Sequence, residues 1–221
     1  LKDFFMTVEN ISYMDTSTGW CYMINTILTG AAGSFLPSSG IDTVFGNKNE
    51  SVIIAGQTAP RADIKRDGDK YTISGHFKFG SGVQHANWLA CGFLHPDSNE
   101  HYLAIFKKQK FKIKNSWNAF GMAATGSHDY ILDETVLDMD LIFPHNSHSP
   151  LREKSHYQYG LVAITALGHT AVATGHAKRA LEETAQIIRS NNARTLSDLN
   201  NFYSDYSRAN AKIRSINAYI S

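Results

Sequence analysis

The sequence predicts an α+β protein with helices at both ends and strands between them. Three observations carry this reading. An apolar rhythm of three and four residues runs before residue 46, short β-rich runs crowd residues 51–143, and two long proline-free stretches follow Pro144.

In the first segment Phe4, Phe5, Val8, Ile11 and Met14 recur at helical spacing and give one apolar face. Asp15, Thr16 and Ser17 offer N-cap side chains for a second helix over Thr18 to Phe35. That helix carries Trp20, Tyr22, Met23, Ile24, Ile27 and Leu28, apolar residues around much of its circumference, so it is expected to be buried. Pro37-Ser38-Ser39-Gly40 breaks it, and Ile41 to Phe45 allows a short further turn.

The texture changes near Ser51. Val52-Ile53-Ile54-Ala55-Gly56 is a short apolar run ending in glycine, the pattern of a buried strand. Asp67-Gly68-Asp69 is a hairpin signal between a strand around Ile64 and one at Tyr71-Thr72-Ile73-Ser74. Trp88 to Leu94, His101 to Lys107, Phe111 to Lys114 and Asp129 to Val136 supply further strands at short intervals. Such spacing predicts a compact antiparallel barrel or sandwich rather than βαβ units.

Beyond Pro144, Tyr157 to Ser190 and Leu196 to Ile220 read as helices. Gly160, Gly168 and Gly175 recur within the first of them. Each glycine costs a helix about 1 kcal/mol relative to alanine, so close approach of a neighbouring helix or a flat ligand is expected there.

Composition narrows the function classes. Of 221 residues, 43% are apolar and 19% charged, ordinary for a globular chain, and the net charge of +1 gives no bulk attraction to nucleic acid or anionic membrane. The cluster Lys107, Lys108, Lys110, Lys112, Lys114 alternates at its end with Phe111 and Ile113, which reads as a strand with a solvated basic face. No apolar run approaches the roughly 20 residues needed to span a bilayer, so no membrane or nucleic-acid partner is expected. Cys21 and Cys91 lie in apolar surroundings and read as buried free thiols, which favours a reducing, cytoplasmic compartment. The first residues lack a secretory pattern and an initiator methionine, and the chain is expected to be cut or processed there. Ten histidines are present, but none falls in an HExxH pattern and no cysteine pair supports them; no metal site is expected.

Nucleotide and hydrolase motifs are missing. The Walker and Rossmann glycine patterns do not occur, and Ser81 lacks the GxSxG spacing of a nucleophile elbow. What Phe79-Gly80-Ser81-Gly82 offers is open backbone, one hydroxyl and one aromatic ring at a strand end. Gln57-Thr58-Ala59-Pro60 is similar, with a hydroxyl after an apolar strand. Each also reads as an ordinary β-turn.

Taken in order, these pieces resemble one family. Thr58-Ala59-Pro60, then Asp67 to Gly75, Phe77-Lys78-Phe79-Gly80-Ser81-Gly82, His85-Ala86-Asn87-Trp88, Trp117-Asn118-Ala119-Phe120-Gly121 and Thr125-Gly126-Ser127-His128-Asp129 look like the middle domain of the acyl-CoA dehydrogenase superfamily. The Phe-x-Ser-Gly and Thr-Gly-Ser-His-Asp forms look most like its flavin-dependent, two-component monooxygenase branch. The resemblance implies N-terminal helices over 1–50, a central antiparallel β-barrel over 51–146 that binds FAD or FMN, and the start of a C-terminal helical bundle over 147–221. It implies flavin contacts at Gln57, Thr58, Phe79, Gly80, Ser81, Gly82 and Trp117, with Thr58 and Ser81 bonding the ring and Phe79 packing on it. Trp20 and Ser127 are the implied substrate contacts, and no catalytic residue is assigned.

The implied activity is hydroxylation of a small aromatic substrate with reduced flavin from a separate reductase. The alternatives are an acyl-CoA dehydrogenase, or a degenerate, non-catalytic member of the fold. The family assembles as dimers or tetramers, so a homo-oligomer is expected. Two positions depart from the pattern: Leu28 stands where the monooxygenases often carry a histidine, and Ala123 where an arginine is common. The chain also ends at Ser221, within what the resemblance makes a helical bundle.

Overall fold

The computed structural model describes residues 1–152, 155–190 and 196–220. Glu153, Lys154, 191–195 and Ser221, all in the segment expected to begin the C-terminal bundle, lie outside the described residues. The helices are α1 (Lys2–Met14), α2 (Thr16–Phe35), α3 (Ser38–Phe45), α4 (Leu161–Ser190) and α5 (Leu196–Ile220). Between α3 and α4 run β1 (Ile54–Pro60), β2 (Asp63–Asp67), β3 (Lys70–Gly80), β4 (Trp88–Leu94), β5 (His101–Lys107), β6 (Phe111–Lys114), β7 (His128–Val136) and β8 (Ile142–Pro144). The order helices, strands, helices is the predicted one. These elements fall into two compact units, Leu1–Trp20 with Leu167–Ser221, and Cys21–Ala166.

In the first unit α1 buries Phe5 and Val8, two of the residues whose spacing predicted it. Asp15 ends α1 and its Oδ1 accepts the Thr18 N–H at 2.7 Å, which is the cap expected for α2. The buried face of α1 also carries charge. Glu9 is enclosed, and Lys178 of α4 reaches its carboxylate at 2.8 Å, so the buried anion has a cation. Gly175 explains one glycine of α4: a Cβ there would stand 2.3 Å from the Glu9 carbonyl oxygen, so only glycine lets the two helix backbones come so close. Gly160 does not belong to that helix. Its φ of +82° interrupts the predicted run, and a single 3-10 turn over His156–Tyr159 precedes it.

The second unit holds all the strands. They form two four-stranded sheets, one in the order β1-β4-β5-β8 and the other β2-β3-β7-β6. The 67–69 hairpin is as predicted: Asp67 pairs with Lys70, and Gly68 takes φ +60° in the two-residue turn. The expected basic face also forms, with Lys112 and Lys114 exposed on β6 and Phe111 turned into the core. Two expectations about the sheet differ. β1 and β4 run parallel rather than antiparallel, because the β2–β3 hairpin carries the chain to the other sheet before β4 returns beside β1. The strands pair as two separate sheets, and among the described residues no ladder closes them into one hydrogen-bonded barrel.

The two sheets face each other across one core. Leu89, Cys91, Phe93, Ala104 and Phe106 meet Ile73, Phe77, Phe111, Tyr130 and Leu132. β4 is buried from Trp88 to Phe93, the continuous apolar run expected of a strand covered on both faces. At the far end of β1 the register slips between Gln57 and Pro60, and the chain folds over Gly92. A Cβ on Gly92 would lie 2.1 Å from the Thr58 carbonyl oxygen, so this crossing requires glycine.

Tyr130 joins the sheets directly. It stands on β7 in the inward row His128, Tyr130, Leu132, fully enclosed, with its ring stacked on Phe77 at 5.0 Å. Its hydroxyl donates to the Ala90 carbonyl on β4 at 2.8 Å and accepts the Gln57 N–H of β1 at 2.6 Å. Burial raises the phenol pKa well above its ordinary value. Tyr130→Phe removes both bonds and leaves a buried N–H without its partner. It is expected to lower unfolding stability by about 1–3 kcal/mol, read as a shifted urea midpoint with unchanged slope.

Candidate functional site

The end of β3 breaks the rule of its own strand. Phe77 points into the core, so strict alternation would send Phe79 the same way. Between the pairs Phe77–Tyr130 and Gly80–His128, however, β3 holds one residue more than β7. Phe79 takes φ +60° at that bulge and its ring is 67% exposed. A bulky residue in the left-handed region costs about 1–2 kcal/mol, so this outward ring is held at a price in stability. The Trp117 ring meets it edge-on at 6.4 Å.

Directly after Phe79 the chain turns. Gly80 is buried against Val83 and Tyr130, and Gly82 takes φ +74°, which lets its N–H reach the Thr125 carbonyl at 2.9 Å. Ser81 is thereby set against the loop before β7. Its Oγ lies 2.7 Å from Ser127 Oγ, and Ser127 Oγ lies 2.6 Å from Thr125 Oγ1. Thr125 Oγ1 donates to the Met122 carbonyl at 2.9 Å. Three hydroxyls therefore stand in a row, all on buried residues. The loop that delivers them is itself constrained: Met122 and Gly126 both have positive φ, and a 3-10 turn over Ala123–Thr125 joins them. Trp117 is anchored twice to this loop, by its Nε1 to the Met122 carbonyl at 3.2 Å and by its backbone N–H to His128 Nδ1 at 3.1 Å.

On the other side of Phe79, Gln57 donates through Nε2 to the Lys78 carbonyl at 3.2 Å while Tyr130 holds its backbone N–H. Thr58 follows at the slipped register of β1, half-buried, with its carbonyl accepting His101 Nε2 at 2.7 Å. The structure thus gathers Phe79, Gly80, Ser81, Gly82, Trp117 and Ser127 at one end of the β3–β7 pair. Gln57 is tied to that end through Lys78, and Thr58 follows it on β1. Trp20 is in the helical unit, where its ring meets His169 edge-on at 5.1 Å. Leu28 is buried in α2, and Ala123 is exposed. Among the described residues no group of three histidines, cysteines or acidic residues is placed to hold a metal, and no helix is long and apolar enough to cross a membrane. Tyr130 and His101 support the site without having been singled out in the sequence. The inward row of β7 carried a signal for Tyr130, since a buried tyrosine needs a hydroxyl partner. His101 carried none, because its carbonyl partner lies 43 residues away.

Exposed aromatic cover, a row of hydroxyls and strained backbone at one sheet end suit a flat heteroaromatic ligand with a polar edge. Comparison with known proteins agrees in kind. No family profile matches the chain. An indole-3-acetate monooxygenase of Pseudomonas putida is 26% identical over 220 residues, covering 96% of this chain and 55% of that protein. A protein of the same name from Acinetobacter baumannii is 27% identical over 187 residues, covering 82% of this chain and 47% of its own. The oxygenase subunit HsaA of a flavin-dependent monooxygenase from Rhodococcus jostii is 24% identical over 137 residues, 61% of this chain and 35% of its own. The chain spans about half the length of the first two relatives.

Among solved structures, the 3-HSA hydroxylase of Rhodococcus sp. RHA1 superposes with a TM-score of 0.82 at 19% identity, over 98% of this chain and 60% of that one. XiaF of Streptomyces, in complex with FADH2 and glycerol, gives 0.79 at 20% identity, over 98% and 58%. At those identities the structures establish the fold. The relatives reported are named monooxygenases, one of them flavin-dependent, and the neighbours include a hydroxylase and a complex with FADH2, in keeping with the branch that the sequence resembles.

The His101 bond to Thr58 titrates. Its pKa lies below the ordinary 6.5, chiefly because burial penalises the imidazolium and also because the His145 ring stacks on it at 4.1 Å; the Thr58 carbonyl works the other way. A lowered folded pKa means that the unfolded chain binds the proton more readily, so stability is full above 6.5 and is lost as pH falls through the folded value. Urea unfolding at about pH 7.5 and about pH 5 is expected to show lower stability at the acid end, and His101→Gln, which keeps a donor for Thr58, is expected to flatten that difference.

Proposed function

We propose that this chain carries the flavin-binding part of a monooxygenase, one that uses reduced FAD or FMN from a separate reductase to hydroxylate a small aromatic or related substrate. The observation that supports it most is the outward, left-handed Phe79 beside the hydroxyl row of Ser81. A strained aromatic without a core to fill is retained where it does something else, and a flavin ring wants apolar cover on its face and hydrogen bonds at its edge. When bound, the flavin would supply the redox chemistry with dioxygen. The protein's part is positional: Phe79 and Trp117 would cover the ring, Ser81 and Thr58 would bond its edge, and Gln57, Gly80 and Gly82 would present backbone close to it. Trp20 and Ser127 remain proposed substrate contacts on the resemblance alone.

The names of the relatives support the same reading, since one is an oxygenase subunit and one neighbour is a complex with FADH2. We extend it to the whole protein as a homo-oligomeric, cytoplasmic enzyme, with helices over 1–50, a barrel-like flavin domain over 51–146 in which both sheets take part, and a helical bundle from 147. A second reading, a non-catalytic member, has its own support in Leu28 and Ala123, which put an aliphatic side chain and a methyl group where the branch often has a histidine and an arginine.

Titration with FAD and FMN, oxidised and reduced, followed by absorbance and fluorescence, tests the flavin reading; no binding of any form would defeat it. NADH-dependent hydroxylation with an added flavin reductase then separates the enzyme from the non-catalytic member, and dye reduction by acyl-CoA without reductase or oxygen would redirect the assignment to a dehydrogenase. Phe79→Gly relieves left-handed strain, so it is expected to leave stability unchanged or raised by about 1 kcal/mol while weakening flavin binding by about fivefold to tenfold. Unchanged affinity in that variant would remove Phe79 from the site.

A further inference from the structure

We infer that His101 and His145 form an acid-sensitive brace behind Thr58, so that flavin binding weakens as the two rings take up protons. The inference rests on the flavin reading above, in which Thr58 bonds the ring edge, and it makes both histidines positioning residues.

Thr58 lies where its strand is least regular. It falls in the register slip of β1, between Gln57, which pairs with Cys91, and Pro60, which pairs with Gly92. There its carbonyl oxygen accepts from His101 Nε2 at 2.7 Å, a bond that ties the slip to β5. A carbonyl only accepts, so Nε2 carries a proton in both charge states of the ring, and an added proton goes to Nδ1. The His145 ring lies flat against His101, with 4.1 Å between centroids and 17° between planes. Two contacts fix it there. Its backbone N–H donates to the His101 carbonyl at 2.9 Å, and its Nδ1 lies 2.7 Å from Asn146 Oδ1.

The groups around His101 give the coupling its sign. His145 is the titratable group in ring contact with it. Glu100, its chain neighbour, accepts the Tyr102 hydroxyl at 3.3 Å, and the His95 ring lies beyond, 5.7 Å from that of Tyr102. A cavity of about 620 Å³, walled by Asn99, Glu100, His101, Pro144 and Asn146, reaches the pair, so protons enter from solvent. One charged ring in the stack meets no like charge, whereas two at 4.1 Å repel. Burial first and His145 second hold the His101 pKa below 6.5, while the Thr58 bond raises it. Separating the rings relieves the repulsion, and a departing His101 withdraws the donor from Thr58. The braced arrangement therefore has the lower pKa and the opened one the ordinary value. Affinity for flavin is full above 6.5 and is lost as pH falls through the lowered value.

Titration of the 221-residue chain with oxidised FAD at about pH 7.5 and about pH 5.5 reads the coupling. FAD is the probe because the phosphate monoester of FMN itself titrates at about pH 6. The parent is expected to bind about fivefold to tenfold more weakly at the acid pH, the worth of one hydrogen bond. His101→Gln keeps a donor for Thr58 and has nothing to titrate, so it is expected to bind alike at both. His145→Phe keeps a ring in the stack without its charge and is expected to shrink the fall. His101→Leu removes the donor, and is expected to bind at about pH 7.5 as weakly as the parent does at about pH 5.5. A merely structural role would lower affinity in these variants without changing its pH profile. Circular dichroism at both pH values checks folding; should His101→Gln not fold, His145→Phe decides. A parent without pH dependence would overturn the brace alone. So would a full acid fall in both His101→Gln and His145→Phe, which would trace it to histidines such as His128, whose Nδ1 takes the Trp117 N–H. No FAD binding at either pH would overturn the flavin reading as well.

Discussion

The phenolic oxygen of Tyr130 sits between two sheets and serves both. It gives its proton to Ala90 and takes the Gln57 N–H, so one side chain satisfies backbone groups of β4 and β1 from its seat on β7. Those groups lie at the last regular pairs of β1 with β4, just before the register of β1 slips. Without the hydroxyl, a buried N–H would stand unmet at the bend that sets Gln57 and Thr58. The cost of an unmet buried donor exceeds the net gain of an ordinary hydrogen bond, which is why so much of the neighbouring geometry depends on this contact. The Phe77 and Phe111 rings fix the phenol from its flanks, and the core that they share joins the sheets without a continuous ladder.

From that junction the site follows by small displacements. One extra residue in β3 moves the chain out of alternation, and Phe79 leaves the core in a backbone conformation that disfavours its side chain. The same bulge brings Ser81 to the Thr125–Ser127 loop, where three hydroxyls line up behind the Met122 carbonyl. Strain and polarity are both purchased from a rigid frame: the core beneath is packed with aromatic rings, and the loop opposite is tied through Trp117 and Met122. A frame of this kind can hold an exposed ring and a row of hydroxyls that a flexible loop could not keep in one arrangement.

The helical unit uses a different device. Glu9 is enclosed on α1, and Lys178 supplies its charge partner from α4. Close packing at Gly175 and the carboxylate above it occupy the same face, so the helices approach through a glycine and are aligned by an ion pair. Such pairs contribute more to a specific alignment than to net stability, because desolvating both charges offsets most of their attraction.

Local chemistry was legible in the residues alone. The order of helices and strands, the Asp67–Asp69 turn, the Asp15 cap and the lysine face of β6 each depend on neighbours a few positions away, and propensity and period determine them. The motif at Phe79 to Gly82 and that at Thr125 to Asp129 were also visible as pieces. What joined them was not. The parallel pairing of β1 with β4, the β8 strand of three residues, the outward turn of Phe79, the His101 bond to Thr58 and the contact of Ser81 with Ser127 all arise between residues distant in the chain. A sequence states which side chain stands at each step of a strand. Only the packed sheets decide where an extra residue must be absorbed, and therefore which side chains leave the core to meet a ligand.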